Sequence, residues 1–136
     1  MRKLTYFLVV FSVLLLFISL TVLFLSDRIV QSETFYANVN ISDRIGFDVN
    51  GSALTFGNVV SGGSSTRKII IDNNYSFPIA VYVTAEGDIA PLLNFDKIVL
   101  IKEGESKLIP ISVVSSGFDY GAYTGNVSFK LLRSVR

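Results

Sequence analysis

LTYFLVVFSVLLLFISLTVLFL, residues Leu4 to Leu25, is a run of 22 residues with no charge, no glycine and no proline. As an α-helix rising about 1.5 Å per residue it spans roughly 33 Å, close to the ~30 Å hydrocarbon core of a bilayer. Its polar side chains are Thr5, Tyr6, Ser12, Ser19 and Thr21, and the Ser and Thr hydroxyls can bond to carbonyls of the preceding turn, so they need no water in lipid. The run reads as a transmembrane helix over 4–25, and the other 111 residues that follow it hang from one anchor.

Working outward, Arg2 and Lys3 stand before the run, and a basic start followed by an apolar stretch also describes a secretory leader. Leader cores are ~7 to 15 residues and end in a small-residue cleavage site. Here the run is longer, and Leu25-Ser26-Asp27-Arg28-Ile29 has no such site, so a retained signal anchor is expected. Two cations on the N-terminal flank face Asp27 and Arg28, which offset each other on the other flank. The positive-inside tendency then keeps residues 1–3 cytoplasmic and places the body outside the membrane. Residues 26–34 are mostly polar without a clear period and read as a short stalk or the lead-in to a first strand, leaving 35–136 as one domain.

A body of that size can bury close to two thirds of its unfolded surface, enough for a core. The 111 residues after the anchor carry 10 basic side chains against 11 acidic ones, a net charge of −1, which argues against a nucleic-acid partner. Cysteine, histidine and tryptophan are absent, so thiol chemistry is excluded and the fold must stand without disulfides. No cofactor motif is present. Gly62-Gly63-Ser64 lacks the Gly-Lys-Ser/Thr of a phosphate loop and runs into a strand pattern at Ser65.

From Phe35 the pattern has a period of two. Phe35, Ala37, Val39 and Ile41 fall on one side and Tyr36, Asn38 and Asn40 on the other. Ile45, Phe47 and Val49 continue it to Asn50-Gly51, the strongest short hairpin signal, with Ala53 to Phe56 as the return strand. Gly57 to Ser65 reads as a loop, Thr66 to Ile71 as a strand, and Asp72-Asn73-Asn74 as a turn. Ile79 to Ala85 alternates most cleanly. The apolar middle of 86–96 suits a crossover lying against the domain. Lys97 to Lys102 and Lys107 to Ser115 follow, with Pro110 marking the second as an edge strand. A last strand, Ala122 to Leu132, turns Tyr123, Val127, Phe129 and Leu131 inward. The expected fold class is all-β: a sandwich of 7–8 strands, antiparallel, preceded by one transmembrane α-helix, with no other helix.

Three runs carry a resemblance. Leu54-Thr55-Phe56-Gly57-Asn58-Val59-Val60-Ser61-Gly62, Arg67 to Asn73, and Gly121-Ala122-Tyr123-Thr124-Gly125-Asn126-Val127 resemble the immunoglobulin-like (Ig-like) sandwiches of the abnormal-spindle/Hydin/major-sperm-protein type, and the Ig-like repeats of prokaryotic, especially archaeal, surface proteins. In those families the first motif ends one strand, the second ends the next, and the third opens the final one. Ser61 stands where the families usually have proline. The resemblance implies a fold and, by analogy, a surface or scaffold role without supplying a site.

Four asparagines, Asn40, Asn50, Asn74 and Asn126, begin N-x-S/T sequences, where roughly one such match is expected by chance, so a glycan-bearing ectodomain is a candidate reading. Thr5, Ser12, Ser19 and Ser26 recur every seven residues and form a stripe on which the helix could associate with a partner helix or a second copy. Paired carboxylates, Glu86/Asp88 and Glu103/Glu105, fall in turns and read as solvated charge. A calcium site drawing on Asp72, Glu86 or Asp88 is a minor reading, since no acidic calcium loop is present. Lys130, Arg133 and Arg136 at the C-terminus would meet headgroups or an acidic partner if that end returns to the bilayer.

Without a nucleophile–base pair or a G-x-S-x-G elbow, no enzyme is expected. The sequence points to a single-pass, outward-facing Ig-like module of the cell surface that binds or scaffolds a protein partner. The alternative is an accessory subunit of a multiprotein membrane assembly of pilus or archaellum type, although Met1-Arg2-Lys3-Leu4 lacks the processing signal of a filament subunit.

Overall fold

The computed structural model describes residues 1–26, 29–44 and 53–134. Helix α1 runs from Arg2 to Ser26. The strands are β1 (Ile29–Ser42), β2 (Leu54–Val60), β3 (Ser64–Asp72), β4 (Ile79–Gly87), β5 (Leu93–Phe95), β6 (Ile98–Ile101), β7 (Ser106–Val114) and β8 (Gly121–Arg133), with one 3₁₀ turn at Ala90–Leu92. They form a five-stranded sheet in the order β2-β1-β8-β4-β6 and a three-stranded sheet in the order β3-β7-β5. The all-β sandwich with an N-terminal apolar helix is therefore present. Its core is the set of alternating inward residues, including Ala37, Val39 and Ile41 of β1, Val81 and Val83 of β4, Ile109, Ile111 and Val113 of β7, and Val127, Phe129 and Leu131 of β8.

Several local expectations change. Residues 29–34, read as stalk or lead-in, are already strand: Gln31 to Thr34 lie opposite Leu131 to Ser128 of β8. Their polarity hides the alternation, because among the described residues β2 flanks only the other half of β1. The stretch Gly57 to Ser65, read as loop, is mostly strand with a short turn at 61–63. Gly57 has φ of 71° and sits where the β1–β2 register slips by one residue, so the glycine makes a bulge and the strand continues past it.

The sandwich is not wholly antiparallel, since β1 and β2 pair parallel, Ala37 opposite Leu54 and Ser42 opposite Val60. The expected hairpin at Asn50-Gly51 lies outside the described residues. Strand β7 is central in its sheet, not an edge. Pro110 is tolerated there because β5 stops short: its pairing ends at Ile111, so Pro110 faces a partner only on the β3 side, at Lys68. The crossover lies against the domain as expected, with Ile89 and Leu92 buried.

Gly125 of the final-strand motif and Gly87 at the end of β4 are required by close approach. A side chain on Gly125 would run into the Glu86 carbonyl and Ile89, and Gly87, at φ of 91°, faces it across the β4–β8 ladder. The motif glycine is thus the point where β4 and the crossover press onto β8, with the Ile89 N–H donating to the Thr124 carbonyl at 3.2 Å.

Candidate functional site

Register fixes which end of the sandwich lies next to the helix. Ile29 is the first residue of β1 and pairs with Leu132, while Ile79 pairs with Arg133 and with Ile101. The start of β1, the end of β8, the β3–β4 loop (73–78) and the β6–β7 loop (102–105) thus share the helix-proximal end. The loops at 61–63, 88–92 and 115–120 share the far end.

Each end is tied by one buried polar side chain. At the near end Asn73 is 1% exposed. Its amide nitrogen donates to the carbonyls of Phe77 (2.9 Å), Ile101 (3.3 Å) and Lys102 (2.9 Å), and its Oδ1 accepts from the Tyr75 N–H. Asn73 N–H also donates to the Glu105 carbonyl, and Gly104 N–H to the Asn73 carbonyl. At the far end the buried Ser115 hydroxyl lies within hydrogen-bond range of the carbonyls of Val60 (2.7 Å) and Gly63 (3.0 Å). In the sequence Asn73 reads as a turn residue and as the end of the second resemblance motif, and its bracing role is hidden because the loop it braces begins 29 residues away.

Between the sheets at the near end is a cleft of about 310 Å³. It exists because β2 pairs with β1 only over Ala37–Ser42. Among the described residues, the 29–36 half of β1 is paired on its β8 side alone, and β3 has a neighbour only in β7. Phe35, Ile69, Ile71, Phe129 and Leu131 give the cleft its apolar surface, with Phe35 edge-on to Phe129 at 5.8 Å between ring centroids. Gln31, Glu33, Asp72 and Asn74 supply polar groups, and Gln31 Nε2 donates to Glu33 at 2.6 Å. Gln31 and Glu33 keep the phase of Phe35, Ala37, Val39 and Ile41. That phase is the signal in the sequence for a longer β1 with polar groups facing inward, and it separates the lead-in reading from the stalk reading.

The β2 side is closed differently. Arg67 Nε donates to the Thr55 carbonyl at 2.7 Å and the Ser65 hydroxyl to the Phe56 carbonyl at 3.2 Å, so side chains of β3 occupy carbonyls of β2.

The sequence-selected residues are dispersed. Asn40 and Asn126 are exposed on the outer face of the larger sheet, with Asn40 Nδ2 donating to Asn58 Oδ1 at 3.1 Å, and Asn74 is exposed in the near-end loop. Asn50 lies outside the described residues. Thr5 and Thr21 bond back to the carbonyls of Met1 and Phe17 at 3.1 and 2.8 Å, and Ser12 and Ser19 are exposed on the helix, while the Ser26 side chain is outside the described set. Asp72 ends β3 at the near end, whereas Glu86 and Asp88 lie at the far end of β4, so no calcium site is assembled from them. Glu105 is engaged in its own turn, accepting from the Lys102 N–H at 3.2 Å. Arg133 lies over the Phe77 ring at 4.6 Å, and Arg136 is outside the described residues.

No family model matches the chain, and no curated protein matches it. Among solved structures it is similar to an antigen and type I fimbria protein of Burkholderia pseudomallei, at 16% identity and a TM-score of 0.31, covering 74% of this chain and 96% of that one.

Proposed function

We propose that this chain is a membrane-anchored, extracytoplasmic Ig-like module of the abnormal-spindle/Hydin/major-sperm-protein type, whose work is protein binding or scaffolding rather than catalysis. One observation carries the reading. An apolar helix, exposed over residues 2–24 and long enough to cross a bilayer, is followed after only Asp27 and Arg28 by the first strand of the sandwich. Three Cα steps of about 3.8 Å keep Ile29 within about 11 Å of Ser26, so the near end sits at the membrane surface. The 14 residues of β1 carry the far end roughly 45 Å outward.

The three resemblance motifs support this reading: the first spans β2 and enters its turn, the second runs along β3 to Asp72 and on to Asn73, and the third opens β8. The absence of native cysteine makes the topology directly testable. Tyr120→Cys, at an exposed far-end site, should react with a membrane-impermeant maleimide in intact cells, whereas Lys3→Cys should react only after permeabilisation. Reversed labelling, or a mature protein that starts beyond residue 26 and washes off the membrane, defeats the proposal.

The alternative, an accessory subunit of a membrane assembly, is favoured by the position of the open half of β1. It lies at the near end, within reach of a neighbour held in the same bilayer. Recovery in detergent with a partner at fixed stoichiometry supports that version, and recovery of the chain alone removes it.

A further inference from the structure

Resting on that reading of a binding module, we propose that the near-end cleft is a strand-addition site. Its occupant is an extended segment of a partner protein, apolar at alternate positions and carrying a lysine or arginine where it passes Glu33 and Asp72. Residues 29–36 of β1 extend over about 27 Å, and their groups on the side away from β8 have no ladder partner among the described residues. An added strand would take up those backbone groups and lay every second side chain onto Phe35, Ile69, Ile71, Phe129 and Leu131.

Glu33 decides the chemistry of the occupant. It stands opposite Phe129 in the ladder, on the inward phase of the strand, and Asp72 lines the same cleft from β3. An apolar strand pressed over them would bury two carboxylates with no cation beside them, the Gln31 amide giving Glu33 a hydrogen bond but no charge, so a purely apolar edge from an aggregating chain is rejected. A cation at that position removes the penalty and forms charge-assisted contacts. Cleft shape therefore selects an extended chain, and its two carboxylates select a basic one.

The test uses the full chain in detergent micelles. The probes are synthetic peptides alternating valine and threonine, one with a central lysine and one with glutamate in its place. The lysine peptide should bind about tenfold more tightly than its glutamate counterpart, and amides within 29–36 should gain protection from hydrogen exchange. Glu33→Lys, an exposed change that leaves the core intact, should invert the preference. N-methylation of alternate peptide amides on the paired edge should abolish binding.

Equal affinity for the two peptides, survival of binding in both of two peptides N-methylated on opposite edges, or protection appearing outside 29–36 would each overturn the site. Self-association of the peptide-free chain that protects the same amides would overturn the choice of occupant in favour of a second copy. None of these readouts depends on membrane topology, so failure here and failure of the anchor reading are separable.

Discussion

The two halves of β1 share a chain, a strand geometry and a ladder with β8, yet Ala37, Val39 and Ile41 are buried whereas no residue from Ile29 to Tyr36 is. What differs is the flank. The second half is also paired with β2, and the first is not. Burial within a strand is thus set by what lies on both sides of it and above it, and the inward-facing series changes from Gln31 and Glu33 through half-buried Phe35 to fully buried Ile41 as that cover closes.

The largest effect should come from breaking the close approach that seats the covered half. Gly125 lies opposite Ala37, and on its other side β4 and Ile89 press against it. Gly125→Val places branched carbons where the Glu86 backbone stands and should cost about 4 kcal/mol or more. The check is loss of a cooperative urea transition in detergent-solubilised protein.

Next comes a pair that sharpens the comparison directly. Ile41→Ala, at 1% exposure, should cost about 3 kcal/mol. Phe35→Ala removes a larger side chain but from the half-covered region, and should cost only about 1 to 1.5 kcal/mol. Urea midpoints of the two variants give the order; a Phe35 cost equal to that of Ile41 would mean that the first half is covered after all.

Much of this was legible in the sequence. Period-two alternation located β4, β7 and β8 within a residue or two, and on β8 it assigned the inward face correctly, because those strands are bordered on both sides and the burial contrast is sharp. Alternation failed at residues 29–34, where polar residues occupy inward positions, and at Gly57, where a glycine that usually ends a strand makes a bulge instead. Pro110 was misjudged for a related reason: the rule that proline sits at edges holds locally, and β5 is too short to reveal itself beforehand. The cleft was not legible, since it depends on β2 pairing with only half of β1, a fact of register between segments. The brace at Asn73 was equally hidden, since two of its three acceptors, the Ile101 and Lys102 carbonyls, lie far along the chain.

Asn73 braces the β3–β4 and β6–β7 loops at the end of the molecule where the less covered half of β1 begins, while that half itself is held by its ladder with β8. Asn73→Ala leaves three buried or part-buried carbonyls and one N–H without this side chain and should cost about 2 kcal/mol. Hydrogen exchange should then quicken at 73–78 and 102–105 while 37–42 stays protected. Uniform loss of protection along β1 would contradict the idea that its halves are held separately.

The smallest effect tests the outer face of the open half. Thr34 Oγ1 and Ser128 Oγ lie 2.9 Å apart across β1 and β8, both in reach of water. Exchange of that hydrogen bond with solvent leaves little net energy, and valine matches threonine in shape and strand preference. Thr34→Val should therefore shift stability by no more than about 0.5 kcal/mol, read as an unchanged urea midpoint. A cost above about 1.5 kcal/mol would show that side-chain pairing, rather than a flanking strand, holds residues 29–36, and the contrast between the halves of β1 would need a different cause.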